Sequence, residues 1–451
     1  MPAETGLTTQ QEPASGVWQW LECRADTQIL LVLVLVSFAI FANTLGNGFV
    51  LDDHLLIERN RAIREKDYYT TVFANPYNYD ASWLDMQSWS ISYYRPFPRL
   101  LGALAFQAFG LQTYYYHLLC LIVYFGVVAL AYGIIKQLSG RRVVAAVGAL
   151  LFAIHPLHSE AVAWFNCLFE PLHALFFLSA FLLYLHAQAE GKTRRGGIFY
   201  LGALTLLAAA LLTKEAALCF PILIASHKFI ETKAGFFQRL SAAVRASLPF
   251  LFVVASYLML RYCIYNGALR MGGGVPQYVI LSMPRVIVEY LRMLVLPIGS
   301  SIVHNLAIVS SPTNIQFWLL LLLLLAATFF IYRYGPSRIQ FACAWMLITM
   351  LPILNISAFI PELKVQDRYT FLPSLGFSAL VAMALIALSE NGILIRAHKL
   401  IVIFLIVLAG CLSGLTIWHN SFWKNDLTLF QRAIAVDPNS EFVQCNYAAA
   451  L

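Results

Sequence analysis

The chain has 451 residues, 60% of them hydrophobic and 12% charged, and a formal net charge of +7. Its mean hydropathy is +0.71. A soluble domain carries roughly twice that charged fraction, so composition excludes a soluble globular protein and specifies a polytopic, all-α membrane protein. The positive balance does not point to nucleic acid, because Lys and Arg cluster in short loops between apolar runs. Eight cysteines form no CxxC pair and mostly sit inside apolar runs. They read as small core residues, neither a zinc site nor a disulfide framework.

Residues 1–27 are polar and lack a positive n-region followed by a small-residue cleavage site. They are expected to be a cytoplasmic segment, with the first span retained as a signal anchor. A span needs about 20 mostly apolar residues. In chain order the candidates are 28–45, 114–136, 143–157, 169–187, 198–212, 216–230, 247–265, 316–334, 340–359, 371–389 and 399–418. The segment 284–303 carries Arg285, Glu289 and Arg292 and breaks at Pro297; it is expected to lie on the surface or re-enter. Loops 136–142, 188–197, 228–239, 333–338 and 390–399 are rich in Lys and Arg, and the positive-inside rule assigns them to the cytoplasm. Eleven crossings follow, with the first loop (46–113) and the C-terminus on the opposite side.

That opposite face collects the unusual chemistry. After the first span, FVLDDHLL places Asp52 and Asp53 side by side. Adjacent residues lie about 100° apart on a helix and on opposite faces of extended chain. One carboxylate can therefore line a cavity while the other caps the helix beginning near His54. SYYRPFPRLL brings Arg95 and Arg99, and HPLHSEAVAWFN brings His155, His158 and Glu160. TKE brings Lys214 and Glu215, and QDRYT brings Arg368. Ionisable groups at membrane depth are costly unless partnered and mark function by default. The blander readings are a solvated cap for Asp52–Asp53, an internal ion pair for Lys214–Glu215 and an interfacial anchor for Arg368. The histidines lack a third ligand at a zincin spacing, so they read as cavity-lining hydrogen-bond groups. Aromatics at 83, 89, 93, 94 and 114–116 read mostly as a membrane-interface belt. An anionic lipid-linked substrate needs cations for its phosphate, and Arg95, Lys214, Arg261 and Arg368 are available. A hydroxyl acceptor needs a carboxylate to take its proton. No hydrolase elbow, Walker loop or dinucleotide fingerprint is present.

Residues 419–451 turn amphipathic. Phe430, Ala433 and Pro438 follow the spacing of the second helix and end of a tetratricopeptide repeat, and Tyr447, Ala448 and Leu451 fit the start of the next. So short an array cannot bury a solenoid core alone; the tail is expected to pack on the membrane domain or a partner, unless the chain was cut there.

Taken in order, FVLDDHLL, YYRPFPRLL, LLFAIHPLHSEAVAWF, LLTKEAALCFP, VQDRYTFLPSLGF and the repeat-like tail resemble the family of transmembrane and tetratricopeptide-repeat-containing O-mannosyltransferases and their prokaryotic relatives. The resemblance covers essentially the whole chain and implies a C-type glycosyltransferase (GT-C) bundle over 28–418. It implies transfer of a sugar, with inversion, from a polyprenyl-phosphate donor to a hydroxyl of a protein or glycolipid on the periplasmic or lumenal face. It implies an acidic base in the first external loop: Asp52, with Asp53 as its orienting or acceptor-binding neighbour, or the two in exchanged roles. Lys214, Arg368, Arg95 and Arg261 would then hold the donor phosphate, and His155, His158, Glu160 and Glu215 the sugar or acceptor. No cofactor is expected to be required; a monophosphate donor gives no strong need for a divalent metal, and nothing in the sequence excludes one. The short repeat region departs from eukaryotic members, and it favours a bacterial inner membrane over the endoplasmic reticulum. The rival readings are a transporter or flippase of a lipid-linked or anionic solute, against which stands the lack of an internal repeat, and a non-catalytic scaffold.

Overall fold

In the computed structural model the described residues are 16–65, 67–74, 94–265, 276–304, 306–356, 364–390 and 397–451. Trp83, Trp89 and Tyr93 of the expected aromatic belt lie outside them. Among the described residues there is no strand, as a lipid solvent demands of a chain that does not close a barrel: every backbone hydrogen bond must be made within the segment. The helices are α1 (Gly16–Cys23), α2 (Asp26–Phe41), α3 (Tyr68–Thr71), α4 (Pro96–Phe109), α5 (Thr113–Ser139), α6 (Arg142–Ala153), α7 (Ser159–Ala163), α8 (Phe169–Glu190) and α9 (Arg194–Thr213). There follow α10 (Phe220–Glu231), α11 (Phe236–Ile264), α12 (Gln277–Val295), α13 (Ile315–Tyr334), α14 (Ser337–Met350), α15 (Pro373–Glu390), α16 (Ala397–Asn420), α17 (Asp426–Val436) and α18 (Glu441–Ala450).

Among the described residues, eight helices are long and apolar enough to cross a bilayer, and the bent pair α6–α7 makes nine if it is one span. Helix length thus accounts for eight or nine of the eleven expected crossings; α10 and α14 are shorter. The helix α12 is not among the candidates. It seats Val286, Tyr290 and Met293 against Leu157 and Met350, while Arg285, Glu289 and Arg292 lie along it. The chain is a multi-pass integral membrane protein. Its centre is α8, with 72% of its apolar window buried, packed on α5 and α9; α13, at 6%, faces outward. The aromatics Tyr124, Phe152, Phe177 and Phe181 fill the interior.

Pro156 sets the geometry that matters for the site. Proline biases the preceding residue away from helix, and His155 is extended, with ψ 126°. The chain turns by 54° between α6 and the short helices that follow, which lays 156–168 across the end of the bundle. Each full span also sorts its ends. Asp26 at the start of α2 meets Lys136 near the end of α5 and Arg142 at the start of α6. The opposite end therefore receives 46–59, 94–95, 155–170, 213–219, 366–370 and the tail after Asn420.

Candidate active site

The segment after α2 is shaped residue by residue. Leu51 is the one non-glycine residue with positive φ (53°) among the described residues, a conformation that L-residues with a branched side chain rarely adopt. It turns the two acids that follow in different directions. Asp53 is fully buried. Its carboxylate accepts the Val50 N–H at 3.3 Å and the Asn166 N–H at 2.7 Å, so it ties the first loop to the segment after α7 and does not cap the turn over His54–Glu58. Burial pushes its pKa up to about 8, against the pull of those two N–H groups. Asp52 is exposed, touches the Asn166 amide at 3.3 Å and feels the Arg368 charge. Crowding by protein raises its pKa, and Arg368 opposes the rise.

Three cations converge at the same end of the bundle, and one of them, Arg368, acts on Asp52. The Arg95 guanidinium, the Lys214 ammonium and the Arg368 guanidinium lie 4.6, 5.5 and 5.9 Å from the centre of one ring, that of Phe169. Tyr369 shares Lys214 and Arg368 at 5.2 and 5.4 Å, and Trp164 flanks Arg368 at 5.3 Å. Such contacts stabilise a desolvated cation by about 2 kcal/mol or more. Each cation also has its own carboxylate. Arg95 binds Glu215 through Nε and Nη2 at 3.1 and 2.5 Å, and Lys214 binds Glu170. Arg368 donates to Glu160 from Nη1 at 2.6 Å and from its backbone N–H at 2.9 Å. Burial works against ionisation of Glu215, but Arg95 outweighs it and holds the carboxyl down at about 2. Positive charge is thus fixed in place without being left unpaired, as burial requires.

Other expected site residues fall elsewhere. Both ring nitrogens of His155 are engaged within the protein, by the Leu294 carbonyl (3.1 Å) and the Leu157 N–H (3.4 Å). Those of His158 meet the Tyr124 hydroxyl and the Ser374 hydroxyl, both at 2.9 Å, with Phe152 and Phe371 against the ring. These histidines, expected to hold sugar or acceptor, have their ring nitrogens engaged within the protein and staple the bent segment to α5, α12 and α15. Glu160 and Glu215 likewise hold Arg368 and Arg95. Arg261 stacks on Tyr265 at 5.8 Å and shares the field around Tyr257 with Arg95 and Glu215, at the rim of the cluster. Tyr94 and Tyr116 are buried and bond to the Phe73 and Gly110 carbonyls; of the expected belt, Tyr114 and Tyr115 are exposed. Among the described residues no group of three or more His, Cys, Asp or Glu gathers in a way that could hold a metal ion.

Sequence reasoning missed Phe169, Glu170, Asn166 and Asp426. Glu170 carried a signal, an acid at the head of an apolar run. The other three did not, since nothing local separates them from ordinary loop or core residues.

No family model matches the chain. It is 25% identical to the protein O-mannosyl-transferase TMTC3 of Mus musculus over 95% of this chain and 50% of that protein. It is 24% identical to the protein O-mannosyl-transferase F38B6.6 of Caenorhabditis elegans over 94% of this chain and 60% of that protein. Human TMTC2 reaches 30% identity over 41% of this chain. The chain spans about half to three-fifths of the length of the two relatives it matches along nearly its whole extent. Among solved structures, the Archaeoglobus fulgidus oligosaccharyltransferase tethered with an acceptor peptide superposes with a TM-score of 0.51 at 15% identity, over 95% of this chain and 59% of that one. The class of architecture is therefore the GT-C bundle expected from the sequence. Within that class, the chain resembles protein O-mannosyl-transferases along nearly its whole length.

Proposed function

We propose that this chain is a glycosyltransferase that moves a sugar from a polyprenyl-phosphate carrier to a hydroxyl acceptor, with Asp52 as general base. The observation that carries the reading is the pairing of one exposed carboxylate with a fixed cluster of three cations on the same end of the bundle. The phosphate of the donor sits among Lys214, Arg368 and Arg95, with Arg261 at the entrance and the prenyl chain in the bilayer between spans. The acceptor oxygen attacks the anomeric carbon from the side opposite the phosphate. Its proton passes to Asp52, the bond from C1 to the phosphate oxygen breaks, and the electron pair leaves with the lipid phosphate. A single displacement of this kind inverts the anomeric centre.

The cations act most strongly as the leaving phosphate gains charge, which is where electrostatic stabilisation lowers a barrier. Lys214 has three N–H donors and Arg five, so Glu170, Glu160 and Glu215 orient them without exhausting them. Asp53, buried and tied to backbone N–H groups, shapes the loop rather than taking a proton. The resemblance to protein O-mannosyl-transferases supports mannose as the sugar and protein as the acceptor, and the basic loops at the far end support a periplasmic or lumenal site. We take α17 and α18 as the opening of a tetratricopeptide-like array.

The test is transfer of radiolabelled mannose from a polyprenyl-phosphate mannose donor to protein in reconstituted vesicles. Asp52→Asn is expected to lower turnover by about 10²–10⁴-fold, the usual contribution of a general base, while Asp53→Asn retains far more. Wild-type turnover in Asp52→Asn would overturn the assignment.

A further inference from the structure

The tail after the last span is built into the site. Asn420 donates to the Ile40 carbonyl at 3.1 Å and to Asn43 at 3.0 Å. The Lys424 carbonyl accepts the Gly48 N–H at 2.9 Å. Trp423 stacks on Trp164 at 5.6 Å with the rings 15° apart, and Trp164 in turn lies beside Arg368. Within α17, Arg432 Nε donates to the Ser300 carbonyl at 3.1 Å. The Ser300 hydroxyl meets Asp367, the neighbour of Arg368.

The most specific of these contacts is Asp426, the first residue of α17. Its Oδ1 accepts the Leu51 N–H at 2.9 Å, and its Oδ2 meets His54 Nε2 at 2.8 Å. The other ring nitrogen of His54 meets Glu58. One carboxylate thus grips both sides of Asp52 and Asp53, at the residue whose backbone is left-handed. Resting on the glycosyltransferase reading, we propose that Asp426 is a positioning residue: it holds Leu51 in its strained conformation and so aims Asp52 at the cation cluster. The tail then completes the active site, whatever else it recruits. A general base must lie within hydrogen-bond reach of the proton it takes, and misplacement by about 1 Å can cost on the order of 10²-fold in rate.

The experiment uses the full chain in detergent and reads two quantities. Amide hydrogen exchange over 47–56 is measured without substrate, and mannose transfer from polyprenyl-phosphate mannose is measured in parallel. Asp426→Ala is expected to speed exchange at Gly48 and at 51–54 by at least about tenfold and to lower kcat by about 10–10² with the donor KM unchanged. Asp426→Asn, which keeps an acceptor for the Leu51 N–H, is expected to stay close to wild type. Leu51→Gly in the Asp426→Ala background is expected to recover turnover, because glycine takes positive φ without steric cost. Should Asp426→Ala not fold, His54→Gln removes one of the two contacts and is expected to give a smaller rise in exchange. Unchanged exchange in the variant that folds, or faster exchange with wild-type kcat, overturns the proposal. A wild-type chain that transfers nothing while Asp426→Ala still loosens 47–56 would sink the glycosyltransferase reading and leave the brace standing.

Discussion

The two ends of the bundle both carry ion pairs, and they differ in what surrounds them. At the end holding the basic loops, Lys136 and Arg142 meet Asp26, while Arg141 meets Glu22 and Glu390, with side chains about a third exposed. At the opposite end, Lys214–Glu170 and Arg368–Glu160 involve side chains only 2–12% exposed. Exposed pairs contribute about 0–1 kcal/mol. Buried pairs cost several kcal/mol of desolvation per ion, which their attraction only offsets when geometry is good. A fold that needed only cohesion would put leucine there. On the proposed function, paired charge stands at that end because an anionic substrate uses it.

The difference can be broken experimentally. The largest effect is expected from Arg368→Met, which strands Glu160 in the interior. Losing one partner of a buried pair costs about 3–5 kcal/mol, visible as a large fall in thermal midpoint together with lost transfer. More telling is the double change Lys214→Met with Glu170→Leu. Replacing both charges by apolar groups is often close to neutral for stability, so the midpoint should stay near wild type while turnover falls by about 10²-fold or more. If the double variant kept its activity, the buried charges would be structural and the contrast between the ends would lose its functional meaning.

A smaller effect separates the two acids by pH. The folded pKa of Asp53, about 8, lies above the ordinary carboxylate value of 3.8, so the folded state holds a proton that the unfolded chain releases. Stability from this group is complete below about pH 3.8 and declines as pH rises through about 8. Unfolding midpoints of wild type and Asp53→Asn should therefore converge toward the alkaline side, the wild type losing ground between those limits. Least of all is expected from Arg141→Ala at the other end: within about 1 kcal/mol in stability and no change in transfer.

How much of this was legible beforehand follows from range. The spans were readable because bilayer thickness forces runs of about 20 apolar residues, and Asp52, Lys214, Arg95 and Arg368 stood out as charges beside such runs. Their partners were not readable. Glu170 lies 44 positions from Lys214, and Glu160 lies 208 from Arg368, so only the packing of α7 and α8 against their neighbours decides who pairs with whom. The histidines misled for the opposite reason. HPLH looks like a ligand-bearing motif, yet the Pro156 bend turns both rings inward onto Tyr124, Ser374 and the Leu294 carbonyl. Leu51 gave no hint at all, since a leucine in left-handed backbone is imposed by contacts made 375 residues later in the chain.

That separation has a consequence for how the protein is made. The Leu51–Asp426 contact joins the end of the first span to the segment after α16, and a chain threaded into a bilayer from its N-terminus acquires Asp426 only after the intervening helices. The acid-bearing loop is thus left without its clamp until the spans between Leu51 and Asp426 have been threaded. On the proposed function, competence waits for the segment beyond Asn420, so a product halted before Asp426 would be inert toward the carrier lipids around it.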